Sequence, residues 1–283
     1  MSLVFTILGC GSSAGVPRIG SGWGACDPNN PRNRRRRCAL LVEQFGPDGV
    51  TRVVVDTPPD LREQLLDADV THVDGVLFTH AHADHTHGID DLRALALHQR
   101  KRINVHLDAP TWESVRKRFG YCFETPPGSS YPPILREHRL EPGLPVMIEG
   151  AGGAITALPI LQTHGDIVSL GFRFGPLAYS CDLNGLPPES VAALAGLDTW
   201  IVDALRHTPH PSHWSLPETL DWIARIKPRH AVLTNMHVDL DYEALRKTLP
   251  KHVEPAYDGM RLASAEMHAP DHGMVREPAA GGR

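Results

Sequence analysis

Eight consecutive residues, Phe78-Thr79-His80-Ala81-His82-Ala83-Asp84-His85, constrain this chain more than any other segment. They close a short apolar run over 75–78 that reads as a β-strand. A helical pattern follows at 89–98, with Ile89, Leu92, Leu95 and Ala96 at helical spacing. Three imidazoles and a carboxylate at such a strand-to-helix turn can converge on a small volume. Left unpaired, so many adjacent polar groups would lie together at a cost and for no gain. Imidazole nitrogen together with carboxylate oxygen suits Zn, Mn, Fe or Ni rather than Ca or Mg. The chain is therefore expected to fold so that a strand end presents these donors to a metal ion.

Around that turn, short β-rich runs alternate with helical patterns. Strands are expected at 3–8, 38–43, 51–55, 103–107, 155–158, 168–174, 178–181, 199–202 and 231–234, and helices at 59–66, 111–118, 189–194, 216–226 and 242–249. Each half reads as strands followed by helices, which predicts sheets covered by helices on their outer faces in a single domain over 1–265. Residues 118–150 carry many prolines and no clear period, and read as an irregular insertion or lid. Residues 266–283 read as a flexible tail.

Composition excludes several classes. At 283 residues and 41% hydrophobic, the chain can bury a core without disulfides. It has no run of about 18 apolar residues, so no membrane span is expected. A net charge of −5 offers no global basic field, so large nucleic acid is not an expected partner. The start, MSLVFTILGCGSS, reads as a strand entering a glycine turn rather than as a signal peptide. Five widely spaced cysteines without a CxxC then read as reduced thiols of a cytoplasmic protein. The run Arg34-Arg35-Arg36-Arg37 leads straight into a strand, so alternate side chains should point to opposite faces, into internal ion pairs or toward a phosphate.

The segment THAHADH resembles the HxHxDH motif of the metallo-β-lactamase superfamily, and further matches run along the chain. Val55-Asp56-Thr57 is similar to that family's Asp after an early strand, Thr163-His164-Gly165 to its next His ligand, and Tyr179-Ser180-Cys181-Asp182 to its bridging Asp. The resemblance implies an α/β (α+β) fold, a four-layer αββα sandwich with metal at one edge. Carried over by position, it implies one ion on His80, His82 and His164 and a second on Asp84, His85 and a late His, with Asp182 bridging. The late ligand departs from the usual Leu-Thr-His: Asn235 stands in that position and His237 two residues on. His237, the imidazole nearest that position, is the expected ligand. The cofactors implied are two divalent metal ions, zinc or manganese.

Within the superfamily, Gly9-Cys10-Gly11-Ser12-Ser13-Ala14-Gly15-Val16-Pro17 and Gly88-Ile89-Asp90-Asp91-Leu92-Arg93 resemble the ribonuclease Z and PhnP-type phosphodiesterase branch. Ser212-His213-Trp214-Ser215-Leu216 stands where PhnP-type enzymes keep a catalytic His. His213 is thereby the expected proton donor to a leaving alkoxide, and Asp84 is the second candidate catalytic residue. His87, His207 and His210 are candidates to line the site. Only Cys26 lies in the loop where PhnP-type proteins often carry a cysteine-bound structural zinc, so that extra ion is not expected.

The resemblance thus implies a dinuclear phosphodiesterase, a phosphoric diester hydrolase. It would cleave a small cyclic or nucleotide-like phosphodiester through a metal-bridging hydroxide, with a homodimer as a family expectation. Two alternatives stay open: a ribonuclease Z-like tRNA 3′-end endonuclease, and a non-catalytic metal-binding biosynthesis accessory protein on the same fold. The basic, glycine-rich arm with which ribonuclease Z docks tRNA is not evident in this sequence.

Overall fold

The computed structural model describes residues 3–263; the expected tail over 266–283 lies outside them. The first sheet is built from β1 (Leu3–Gly9), β2 (Ala39–Gly46), β3 (Gly49–Val55), β4 (Gly75–Leu77), β5 (Ile103–Leu107) and β6 (Leu135–Arg139). The second holds β7 (Val146–Ile148), β8 (Ile155–His164), β9 (Ile167–Phe174), β10 (Leu177–Ser180), β11 (Thr199–Asp203), β12 (His230–Thr234) and β13 (Val253–Pro255). A last strand, β14 (Arg261–Ala263), returns to pair with β1. The strand orders are β14-β1-β2-β3-β4-β5-β6 and β13-β12-β11-β10-β9-β8-β7. In each sheet the early strands pair antiparallel and the later ones, β3 to β6 and β10 to β13, pair parallel. Parallel pairing needs crossovers. These carry α1 (Leu61–Asp67), the single turn α2 (Ala83–Thr86), α3 (Leu92–Gln99) and α4 (Ala109–Phe119) in the first half, and α5 (Pro188–Ala193), α6 (Leu216–Ile226) and α7 (Tyr242–Thr248) in the second.

Alternation along β2 shows how the layers arise. Leu40 and Val42 join the core shared with Phe172, Phe174 and Trp200 of the second sheet. Ala39 and Leu41 face the other way, into a cluster with Leu61 and Leu65 of α1, Leu92 of α3 and Val115 of α4. Ile223 of α6 and Leu245 of α7 pack with the second sheet. The result is the expected four-layer αββα sandwich, an α/β fold.

The segment 118–150 differs from the expectation of irregular chain. It contains β6, in parallel register with β5, and β7, which pairs antiparallel with the start of β8 through Val146↔Ala157 and Ile148↔Ile155. Both are edge strands, short and half exposed, so their apolar signal is weak. β8 also runs past the expected 155–158. β7 pairs only with its first residues, and beyond them the Gly143 N–H donates to the Pro159 carbonyl at 2.9 Å, so Pro159 lies outside the β7–β8 ladder and its missing N–H is tolerated.

Three buried residues one or two places past strand ends have left-handed backbones: Asp56 after β3 (φ 66°), Asp182 after β10 (φ 55°) and Asn235 after β12 (φ 59°). Left-handed non-glycine residues carry strain that concentrates at functional sites. All three belong to one cluster at the carboxyl ends of the strands.

Candidate metal centre

The cluster starts at Asp56. Its Oδ1 accepts from the Thr79 backbone N–H and its Oδ2 from the Thr79 hydroxyl, each at 2.8 Å, which ties the end of β3 to the residue before His80. Asp56 Oδ2 also lies 2.7 Å from His85 Nδ1 and orients that ring so that Nε2 points away. His80 places Nδ1 3.0 Å from the Thr79 hydroxyl. Its Nε2 is buried and has no hydrogen-bond partner.

The second sheet supplies the rest. His164 ends β8 and donates from Nδ1 to the Ser212 carbonyl at 2.7 Å. Gly165 (φ 60°) permits that approach, because a Cβ there would stand 2.9 Å from the Ser212 Cβ. Asp182 faces the histidines with one oxygen. Its Oδ2 lies 3.6 Å from His80 Nε2, 3.4 Å from His85 Nε2 and 3.7 Å from His164 Nε2. Its Oδ1 points elsewhere, accepting from Asn235 Nδ2 at 2.8 Å and from the Cys181 thiol at 3.0 Å.

These distances fit a metal ion. Ligand bonds of about 2.0–2.2 Å at tetrahedral angles put neighbouring donors roughly 3.3–3.6 Å apart. His80, His82, His164 and Asp182 have donor atoms within 4.8 Å of one another. Burial, followed by the charge of His85, pushes His80 well below the ordinary histidine range, so its ring is neutral with a lone pair to give. Burial would raise Asp182, but the charge and hydrogen bond of His85 hold it well below the carboxylate range, and it stays ionised. The orphaned Nε2 of His80 is the observation that argues most directly for a cation here.

Of the residues expected from sequence, His80, His82, His85, His164 and Asp182 come together. Asp84 lines the same cleft with Oδ2 3.4 Å from His85 Nε2. His237 does not join them. It falls in none of the potential ligand groups among the described residues, and its Nδ1 pairs with Asp239 Oδ1 at 3.0 Å. The cause is the backbone after β12. Asn235 turns left-handed, Met236 is buried with its N–H on the Cys10 carbonyl, and His237 is carried to the part of the cleft lining near Arg18 and Arg206. Asn235, not His237, is the residue that meets Asp182.

His213 stands beside the cluster, its ring centroid 4.7 Å from that of His164. Its Nδ1 lies 2.8 Å from Oδ2 of Asp203, which is fully buried at the end of β11. Burial would lower the imidazole pKa, but the charge and hydrogen bond of Asp203 outweigh it and raise the ring to about 9. Sequence reasoning missed Asp203, although the signal was there: like Asp56 and Asp182, it is an aspartate closing an apolar strand. His210 lines the cleft, its ring 5.1 Å from that of His213. His207 is exposed, and His87 packs edge-on against Phe119.

The cleft over the cluster measures about 420 Å³. Ser12, Arg18 and Arg206 also line it. Ser12 Oγ and Arg18 Nε are buried without hydrogen-bond partners, and Arg206 is braced by the Thr208 and Pro209 carbonyls. Histidine supplies the cleft's only aromatic rings among the described residues.

Residues 51–236 match the family described as the beta-lactamase superfamily domain. A crystal structure of a diphosphatase from the PhnP family is similar at 32% identity and a TM-score of 0.83, over 93% of this chain and 98% of that one. An octanoyltransferase of Porphyromonas gingivalis is 31% identical over 259 residues, 90% of this chain and 50% of that protein. A ribonuclease Z of a Bradyrhizobium species is 31% identical over 196 residues, 68% of this chain and 56% of that one. The chain thus spans about half the length of the curated relatives it matches.

Proposed function

Because the chain belongs to the beta-lactamase superfamily, we propose that it is a metal-dependent hydrolase of a small phosphodiester, cyclic or nucleotide-like. The observation that carries this reading is His213, held by buried Asp203 next to the metal-binding cluster. A divalent ion on His80, His82, His164 and Asp182 would polarise a phosphoryl oxygen and ease the deprotonation of water. His213 keeps its proton at neutral pH and supplies it to the departing alkoxide, a contribution of roughly 10²–10⁴ in rate. Asp203 fixes the proton on Nδ1, leaving Nε2 as the position from which the ring donates. Arg18, Arg206 and the Ser12 hydroxyl bind the anionic body of the substrate.

The cleft supports a small substrate over a nucleic acid. Its wall is cationic and polar, and single-stranded nucleic acids are commonly held by base stacking on aromatic side chains. The PhnP-family diphosphatase, whose whole length is similar to this chain, supports the same reading. The five cysteines are all free and buried, which suits a cytoplasmic setting.

Hydrolysis of bis(p-nitrophenyl) phosphate and of 2′,3′-cyclic nucleotides tests the proposal. Wild-type protein should cleave at least one of them, and Arg18→Ala should raise KM with little change in kcat. Metal-loaded protein that leaves these substrates intact but processes precursor tRNA would instead establish the ribonuclease Z activity. Protein that turns over none of them would favour the accessory role.

A further inference from the structure

The inner face of the first sheet is apolar as far as β4: Phe5, Leu40, Val53 and Leu77 all enter the core between the sheets. On β5, Ile103, Val105 and Leu107 turn the other way, toward the helices, so Asn104 and His106 take the inward positions. His106 is the register neighbour of Leu77 on one side and of His138 of β6 on the other. The two imidazoles stack, with centroids 4.8 Å apart and planes 20° apart. His106 is 6% exposed, and its Nδ1 is buried without a hydrogen-bond partner. An apolar side chain would fill that position without the cost, so the unpaired polar atom calls for a reason.

A cleft of about 570 Å³ opens beside this ring, between β6 of one sheet and β7 of the other, and shares no lining residue with the cleft over the metal cluster. Its polar groups are mostly donors. His138 Nε2 donates to Asn104 Oδ1 at 3.0 Å, which leaves the Asn104 amide N–H groups free to donate. Burial, followed by the neighbouring His138, lowers His106 to about 4, so the ring is neutral and holds one proton. A buried N–H without an acceptor is rarer than a buried lone pair without a donor. The proton of His106 therefore sits on Nε2, with the unpaired lone pair on Nδ1. Lys101 and Arg139 line the cleft as exposed cations, against the single carboxylate of Glu149. β7 adds an apolar wall of Val146, Met147 and Ile148, with Met147 58% exposed.

We propose that this cleft binds a small organic anion, whose oxyanion accepts from His106 Nε2–H and pairs with Lys101 and Arg139, and whose apolar body covers Val146 and Met147. A carboxylate and a phosphate ester share that chemistry. Binding here is independent of the metal centre and of the substrate proposed for it.

The ring Cε1–H resonances of His106 and His138 in the Zn²⁺-loaded full chain, assigned with His106→Phe and His138→Gln, report this cleft separately from the metal centre. Hexanoate, phenyl phosphate, acetate and inorganic phosphate are the probes. Hexanoate or phenyl phosphate should shift both signals saturably, and the tighter of the two identifies the ligand as a carboxylate or a phosphate ester. The double variant Lys101→Ala/Arg139→Ala should weaken binding about tenfold or more. His106→Phe, read through His138, should do the same. Signals that none of the four probes moves would overturn the proposal. So would acetate binding as tightly as hexanoate together with inorganic phosphate binding as tightly as phenyl phosphate, because the apolar wall would then contribute nothing. An affinity unchanged in Lys101→Ala/Arg139→Ala would also overturn it, and that result stays readable even if His106→Phe fails to fold.

Discussion

At His213 two effects of burial compete. A buried ring favours its neutral form, but the carboxylate of Asp203, at 2.8 Å and also buried, reverses the outcome and raises the pKa to about 9. The ring is therefore protonated below about pH 9 and loses its proton above it. As general acid it should give a kcat/KM that falls as pH rises through that value. Asp203→Asn should move this alkaline limb toward about 6.5, the ordinary imidazole value. A pH–rate profile checks both, and a limb indifferent to Asp203→Asn would remove His213 from the role of acid. His213→Ala should lower kcat by roughly 10²–10⁴ with metal content unchanged. His80, His82, Asp84 and His85 were legible because they are contiguous, and contiguous donors at a turn can only meet nearby. Asp203 was less visible, because its importance lies in a ring ten residues away that loops back over it.

Strand ends do the positioning, and their details decide which side chains arrive. The alternation expected along Arg34–Arg37 appears only in its first pair: Arg34 is exposed and Arg35 is 1% exposed, whereas Arg36 and Arg37, which precede β2, are both half-buried. Arg35 donates to the Leu240 carbonyl at 2.7 Å and the His237 carbonyl at 3.3 Å, and so holds the loop after β12. Arg36 pairs with Asp67 and Asp258, and Arg37 with Asp60. Three of the four arginines are thus tied into the fold, so the run is not a free basic patch. Arg35→Met leaves buried carbonyls unpaired and should destabilise the fold by roughly 2–3 kcal/mol. Arg34→Met should stay within about 0.5 kcal/mol, and urea unfolding of the two variants makes the comparison. The edge strands β6 and β7 escaped sequence reading for a related reason: an edge strand is defined by its neighbour, and LREHR carries no alternation of its own.

Across the molecule, the metal centre joins two half-structures. His80, His82 and His85 come from the first sheet, His164 and Asp182 from the second, so an ion bridging them binds only the assembled fold. Ligand present at a thousand times its Kd adds about 4 kcal/mol, and chelation should then lower Tm by roughly 8–16 °C. Zn²⁺ should restore it. His164→Ala protein should melt near the stripped value with or without chelator, and a wild-type Tm insensitive to chelation would show that no ion links the sheets. Whatever is local could be read from the chain alone. Periodicity assigned most strands and helices and hence the layered class, and the contiguous donors after β4 declared the metal. The distant groups that complete the site emerged only from the packing of the two sheets: Asn235 rather than His237 against Asp182, and Asp203 beneath His213. Successive strand residues advance about 3.3 Å, while a metal–ligand bond spans about 2 Å. An offset of two residues beyond a strand end, plain in the sequence but with its geometric consequence decided by the fold, is therefore enough to carry an imidazole out of the centre.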